Sequence, residues 1–247
     1  MLKHILWVLA GLLLSSGASA QNRVDQLLTG YSLIKTVSCD VRKDTATPEG
    51  EGRMLSRVWF EAPNRLLVEN STPIKRKILC DGTTQFFYAD EGQTALQFPF
   101  DQLPLDMQIQ AQSIPASPME HLLRLKDLSE TNLPATAAYP VRTGYSTEKL
   151  FAVLSFDASN RLARLEFYTS PEMTNGYAAT DYSSFEQPLP GVWLALHQES
   201  EITVQGEMKA RESRRFSNLR VNPSIPPETF QSGKAFPGVK FNTPPSQ

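Results

Sequence analysis

The chain has 247 residues, a formal charge of −2 at neutral pH and hydrophobic residues at 40% of its positions. This nearly balanced charge gives no reason to expect nucleic acid as a partner. The basic stretches at residues 75–77 and 211–215 both have acidic neighbours, and we interpret them as solvated strand faces.

Residues 1–20 have the order of a secretory signal peptide. Lys3 precedes an apolar run that extends from Ile5 to Leu14, and the small-residue sequence Ala18-Ser19-Ala20 follows. The run is too short for a comfortable membrane span, although a retained anchor is the alternative. We therefore predict cleavage near Ala20, and a single domain over residues 21–247 that is soluble outside the cytoplasm.

The first half of this domain predicts one helix and then a run of strands. Apolar residues recur at helical spacing over 23–34, and a half-buried strand follows at 35–44. Five short strands with turns between them indicate an antiparallel meander, and Asp81-Gly82 is a favoured pair for a tight hairpin. These strands are predicted at 53–62, 65–70, 75–80, 84–89 and 93–98.

A long segment at 101–132 interrupts the strands. Ser117 followed by Pro118 is typical of a helix start, and Glu120 completes a capping pattern, so a helix of about ten residues is predicted here. Strand patterns return with a hairpin about 157–160, three further strands and a Pro-rich tail. The fold class is therefore mainly β, with about ten antiparallel strands, an N-terminal helix and a helical insertion that forms a lid.

The two cysteines, Cys39 and Cys80, both lie in apolar, strand-like runs. Outside the cytoplasm they could form a disulfide that closes a loop of about forty residues. The alternative is two separate buried thiols, because the sequence does not give the distance between their Cα atoms.

Signatures of catalysis are mostly missing from the sequence. There is no Gly-rich phosphate loop, no His-Glu-x-x-His and no Gly-x-Ser-x-Gly. The histidines His121 and His197 do not form a metal pattern, and Ser146 with Lys149 matches a Ser-x-x-Lys motif that precedes a strand. We predict no cofactor, no metal and no enzymatic activity, with a hydrolase that uses Ser146 as a minor alternative.

The balance between sheet and helix leads to a binding hypothesis. Ten strands form more sheet than two short helices can seal, so a curved sheet with a helical lid is expected to enclose an apolar space. The alternative is that the same side chains meet in a dry, filled core. The candidate lining residues are Trp59, Leu66, Phe87, Phe98, Leu122, Leu165, Phe167 and Trp193.

Several short motifs resemble those of the LolA/LolB family of periplasmic lipoprotein carriers. They are Pro63-Asn64, Asp81-Gly82, the aromatic run 86–88 and the turn 89–90, together with the closing segment 222–241. The resemblance implies an unclosed β-barrel capped by helices, with a cavity that receives acyl chains. Two positions depart from the family, which has an Arg where this chain has Ala62 and an aromatic residue where it has Leu66.

Together, these patterns and the resemblance predict a periplasmic carrier or chaperone, expected to be a monomer. Its predicted ligand is a lipid or an acylated lipoprotein. The alternative is an envelope sensor or scaffold that binds a protein partner through the same sheet. The Pro-rich tail and the mixed-charge strand at 208–216 favour this alternative.

Overall fold

The structure is a computed structural model that describes residues 22–89, 94–204 and 206–243. The predicted signal peptide lies outside the described residues. None of the helices in the described part of the chain is long and apolar enough to cross a membrane. The helices are α1 (Arg23–Tyr31), α2 (Leu105–Gln112), α3 (Met119–Leu125) and α4 (Ser232–Ala235). The strands are β1 (Thr36–Thr47), β2 (Gly50–Glu61), β3 (Arg65–Thr72), β4 (Arg76–Asp81), β5 (Thr84–Ala89), β6 (Thr94–Pro99), β7 (Glu130–Leu133), β8 (Val141–Ser146), β9 (Phe151–Phe156), β10 (Leu162–Tyr168), β11 (Gly176–Leu189), β12 (Val192–Val204) and β13 (Glu207–Val221).

All thirteen strands belong to one antiparallel sheet in the order β6-β5-β4-β3-β2-β1-β13-β12-β11-β10-β9-β8-β7. The sheet begins at β6 and ends at β7, so it is an unclosed barrel, as the sequence predicts. The prediction of about ten strands was too low, in part because β7 has only four residues and little alternation. That residues 21–247 form a single domain stays a prediction.

The segment between β6 and β7 connects the two edges of the sheet and carries α2 and α3. Only one helix is predicted from the sequence here, because α2 is rich in glutamine and buries only Ile109 and Ala111. The helix α3 starts one residue later than predicted, because Pro118 is the N-cap and Met119 the first helical residue, and no side chain caps this end. The Ser117 hydroxyl accepts a hydrogen bond from the Met119 N–H at 3.3 Å, but the predicted capping pattern with Glu120 is not formed, since the Ser117 N–H donates to the Ile114 carbonyl. This helix is shorter than predicted and ends at Leu125.

Two predicted turns are found with their expected chemistry. At the β4–β5 hairpin, the Asp81 carboxylate accepts hydrogen bonds from the N–H groups of Thr83 and Thr84 at 2.9 and 2.8 Å. Gly82 has a φ of 106°, a backbone conformation that residues other than glycine rarely adopt. At the β9–β10 hairpin, Asn160 takes a left-handed conformation with a φ of 59°.

The two faces of the sheet bury different clusters. The inner face packs against α1, α2 and α3 and holds the larger core. The outer face of β2 to β5 packs against the C-terminal segment 225–241, whose Phe230 and Phe236 are each 3% exposed. The aromatic run of β5 is divided between these faces, because Phe86 and Tyr88 point to the C-terminal segment while Phe87 points inward.

Candidate functional site

The inner face is filled on one side and hollow on the other. We call the strands β8 to β12, with α1 and α3 above them, the filled half. Its inner side chains Leu154 and Leu165 are 0% exposed, although a separate cavity of about 140 Å³ lies under α1. We call β1, β2, β3 and β13 the hollow half, because a cavity of about 190 Å³ separates the inner side chains of these strands from the segment 110–117.

The wall of this cavity is mainly apolar. Val58 and Leu66 are buried, while Val41, Val68 and Phe216 are half-buried on the same face. They meet because β1, β2, β3 and β13 are paired in a register that places them on the inner side. An apolar cavity of this size accepts a guest about as large as benzene or a short acyl segment.

The roof of the cavity is attached to the sheet at one end. Ala116 has a φ of 62°, and its carbonyl accepts a hydrogen bond from the Ala195 N–H on β12 at 2.8 Å. Leu122 and Leu125 on α3 are fully buried. In contrast, α2 buries only two side chains and leaves Leu105 66% exposed. The roof is therefore held firmly by α3 and weakly by α2.

One end of the cavity is charged. The Arg214 guanidinium lies 3.1 Å from Glu120 and also contacts Glu212. Lys43 contacts the same Glu212 carboxylate. Burial alone would raise the pKa of Glu120, but the charges of Arg214 and His121 outweigh burial and hold this pKa below its usual value.

His121 lies on α3, with its ring facing the filled half. Its Nε2 is 3.4 Å from Glu120, and its ring centroid is 5.6 Å from that of Phe167. Burial lowers the pKa of His121, and the neighbouring Arg214 and Arg124 lower it further, against the opposite effect of Glu120. The pKa of His121 therefore lies below its usual value of 6.5.

Gln198 of β12 also lines the cavity, beside Arg214. It is 5% exposed, and its Nε2 has no hydrogen-bond partner within the described part of the chain. A buried amide donor without an acceptor is costly. The cavity thus combines an apolar wall with a compensated group of charges.

The structure places only one of the eight predicted lining residues, Leu66, at this cavity. Leu122 and Leu165 are 0% exposed and Phe167 packs beside them, so these three belong to the filled core that the sequence left open as the alternative. Phe87 and Phe98 face each other on β5 and β6, with ring centroids 5.9 Å apart.

The two predicted tryptophans lie elsewhere. Trp59 is on the outer face and packs against the C-terminal segment. Trp193 lines a separate cavity of about 140 Å³ under α1, where the Arg161 guanidinium lies 5.4 Å from its ring. Alternation along a strand separates the two faces of the sheet, but it does not show which face borders a given cavity. The sequence therefore could not place Trp59 on the outer face or Trp193 under α1.

The predicted disulfide alternative is not found. Cys39 and Cys80 are both free and buried. They lie on β1 and β4, which are separated by β2 and β3, so their backbones are about 14 Å apart at the usual strand spacing. A disulfide requires Cα atoms within about 7 Å. The alternative of two separate thiols is the one observed.

Sequence reasoning missed the charged end of the cavity. We interpret residues 211–215 from sequence as a solvated strand face, and Arg211 and Arg215 are indeed exposed. Arg214, however, lies two residues before the inward Phe216 and shares its side of the sheet. Within the described residues no group of three or more His, Cys, Asp or Glu side chains could hold a metal ion.

Comparison with known proteins identifies the fold. No protein-family model and no curated protein matches the sequence. Among solved structures, the chain resembles an outer membrane lipoprotein-sorting protein domain from Vibrio parahaemolyticus, with a TM-score of 0.56 and 11% identity over 85% of this chain and 96% of that one. It also resembles a LolA superfamily protein from Nitrosomonas europaea, with a TM-score of 0.54 and 14% identity over 85% of this chain and 98% of that one.

A DUF1329 family protein from Desulfovibrio piger is similar to the same extent, with a TM-score of 0.54 and 12% identity over 84% of this chain and 95% of that one. At these identities the likeness shows the fold alone. The chain has a LolA-like fold, which is the fold that the sequence motifs imply.

Proposed function

We propose that the chain is a non-enzymatic periplasmic carrier that holds an acylated or otherwise apolar ligand in the cavity of the hollow half. The observation that carries this proposal is the space of about 190 Å³ between the segment 110–117 and the inner face. The lipoprotein-sorting description of the Vibrio parahaemolyticus domain agrees with it. Burial of acyl methylenes, at about 0.8 kcal/mol each, would supply affinity without polar recognition.

A long acyl chain needs more space than the cavity offers, because pockets for drug-sized ligands have about 300–1,000 Å³. Part of the roof must therefore move. The sequence predicts that the helix after Ser117 forms the lid, but α3 is anchored by Leu122, Leu125 and the Ala116 carbonyl. We propose that α2 moves instead, since it has little buried surface and lies over β3.

The test is ligand binding by a variant whose cavity is filled. Val68→Phe places an aromatic ring in the cavity, and Val204→Phe makes the same change at a residue that is 40% exposed. We expect Val68→Phe to bind the fluorescent apolar probe N-phenyl-1-naphthylamine about tenfold or more weakly, a loss of about 1.4 kcal/mol. Val204→Phe should bind it as the unmodified protein does.

Native mass spectrometry of protein purified from cells without detergent provides an independent measurement. Lipid adducts should be present on the unmodified protein and reduced on Val68→Phe. A ligand-free spectrum, together with no probe binding by the unmodified protein, would refute the carrier proposal.

A second candidate function is the binding of an envelope protein partner through the sheet. It is supported by a groove of about 550 Å³ on the outer side, lined by Arg42, Arg57, Lys75, Arg76 and Lys77 against two acidic residues. The Pro-rich tail supports it less than the sequence suggests, because residues 225–241 are packed against the sheet. Lys75→Glu with Arg76→Glu should abolish partner capture and leave probe binding unchanged.

A further inference from the structure

The cavity of about 140 Å³ under α1, which we call the α1 cavity, lies between this helix, the β9–β10 hairpin and β12. It shares no lining residue with the cavity of the hollow half, and the proposed carrier function does not use it. Leu27, Leu162 and Val192 form the aliphatic part of its wall. A cavity of this volume accepts a guest about as large as benzene.

Two arginines line the α1 cavity, and the guanidinium of each lies over an aromatic ring. The Cζ atom of Arg161 is 4.5 Å from the centroid of the Phe185 ring and 5.4 Å from that of Trp193. The Cζ atom of Arg23 is 5.5 Å from the centroid of the Phe156 ring. Contact with a ring restricts the orientation of a guanidinium, so both groups are positioned before any ligand arrives.

The positive charge at this cavity is only partly compensated. Arg161 pairs with Asp157, because its Nε and Nη2 lie 2.8 and 2.7 Å from the same carboxylate oxygen, Oδ2. Arg23 donates instead from Nη1 to the neutral side-chain oxygen of Asn160, at 3.1 Å. In the described part of the chain, no Asp or Glu side chain forms an ion pair with the Arg23 guanidinium, and none lines the cavity.

Glu130 also contacts Arg23, but it does so through the backbone. The Glu130 Oε2 accepts hydrogen bonds from the Arg23 N–H at 2.5 Å and from the Tyr145 hydroxyl at 2.6 Å. The Arg23 guanidinium is therefore a charged group that a ligand in the cavity can pair with while every carboxylate keeps its partners. An anion that had to displace a carboxylate would bind at a considerable cost.

We propose that the α1 cavity binds a small monocarboxylate with a compact apolar body, about the size of benzoate. A carboxylate can accept two parallel N–H bonds from a guanidinium, and such charge-assisted bonds are about twice as strong as neutral ones. The apolar body then lies against the aliphatic wall and beside the rings of Phe185 and Trp193. A doubly charged phosphate fits less well, because Asp157 already neutralises Arg161.

The experiment is isothermal titration calorimetry at pH 7.5 with benzoate, benzamide and benzamidine, three planar molecules of similar size that differ in charge. Arg23→Gln removes the charge and keeps a polar side chain, and Arg23→Lys keeps the charge. The matched control is Arg220→Gln, since Arg220 is exposed on β13, does not line the α1 cavity and likewise forms no ion pair within the described residues.

The unmodified protein should bind benzoate about tenfold or more tightly than benzamide, and benzamidine should not bind. Arg23→Gln should weaken benzoate by about tenfold, the usual effect of a hydrogen bond to a charged group, and leave benzamide within about twofold. Arg23→Lys should retain a preference for benzoate, and Arg220→Gln should change neither ligand. Thermal unfolding verifies that each variant is folded.

Three results would overturn this inference: no binding of benzoate by the unmodified protein, equal binding of benzoate and benzamide, or full benzoate affinity in Arg23→Gln. Val68→Phe verifies the location, because it fills the other cavity and should leave benzoate affinity unchanged. A loss in that variant would assign benzoate to the hollow half and would also overturn the inference. The carrier function is measured separately with N-phenyl-1-naphthylamine, so either proposal can fail without the other.

Discussion

The filled half and the hollow half are parts of one sheet, but they bury their inner faces differently. Leu154 and Leu165 in the filled half are 0% exposed under α1 and α3. In the hollow half, Val68 and Phe216 are only half-buried below the segment 110–117. The helices α1 and α3 therefore bury the central leucines of the filled half and leave a cavity of about 140 Å³ under α1, whereas the cavity of the hollow half lies under segment 110–117.

The largest expected difference between the halves is the cost of removing a leucine. Leu165→Ala should lower the free energy of unfolding by about 4 kcal/mol, because it leaves a new hole in a close-packed region. Leu66→Ala should cost about 2 kcal/mol, since Leu66 already lacks neighbours on its cavity side. Urea unfolding with equal m values measures both.

Equal losses for these two leucines would contradict the division of the sheet. The comparison is well matched, because both residues are inward leucines of the sheet, 0% and 6% exposed.

The next largest effect is expected from adding volume. Val24→Phe places an aromatic ring in the filled half, where Val24 on α1 is 0% exposed, and should destabilise the protein by about 1–3 kcal/mol. Val68→Phe should change the free energy of unfolding by less than about 1 kcal/mol, because the ring enters existing space. Chemical denaturation distinguishes the two, and a large loss for Val68→Phe would show that the hollow half cannot accept a guest.

Local signals in the sequence predict much of the fold. Asp81-Gly82 specifies its hairpin through the Asp81 carboxylate and the backbone of Gly82, and Ser117-Pro118 locates the start of α3 to within one residue. These features depend on neighbours within a few residues, so they can be read from the chain without its tertiary structure.

The candidate site could be predicted only in part, because its features depend on which elements cover the sheet. Trp59 lies in an alternating strand pattern and is therefore predicted to line the inner cavity. It lies instead on the outer face, which the C-terminal segment covers. Leu122 has the helical spacing of a lid residue, but α3 is packed too closely to leave space. Arg214 lies in a charged stretch, and only the pairing of β13 with β1 shows that it points inward.

A smaller effect is expected at the boundary between the halves, where His121 contacts Glu120. The pKa of His121 is lower in the folded chain than the usual 6.5. The unfolded chain therefore binds more protons, so this group's stabilisation is present above pH 6.5 and is lost as the pH falls below it. The pKa of Glu120 is also lowered, which adds a further loss below pH 4.5.

Chemical denaturation at several pH values measures this dependence. His121→Gln should remove the decline that begins as the pH falls below 6.5 and keep the decline below 4.5. If the variant keeps the full decline near pH 6, the buried neutral imidazole is not its source.

The smallest structural effect is expected at the two thiols, which lie in apolar rows of the inner face on β1 and β4. Burial, with a contribution from Asp40, raises the pKa of the Cys39 thiol to about 12, and burial also raises the pKa of Cys80. Since the thiolate is the reactive form, both thiols should react with Ellman's reagent at least about a hundredfold more slowly than free cysteine at pH 8. In denaturant both should react quickly without prior reduction, because they do not form a disulfide.

Cys80 lies toward the Phe87–Phe98 side of the sheet, and Cys39 lies beside the cavity wall at Val58. An apolar ligand that fills the cavity should therefore slow Cys39 more than Cys80, and faster labelling of Cys39 in the presence of N-phenyl-1-naphthylamine would contradict the position of the cavity.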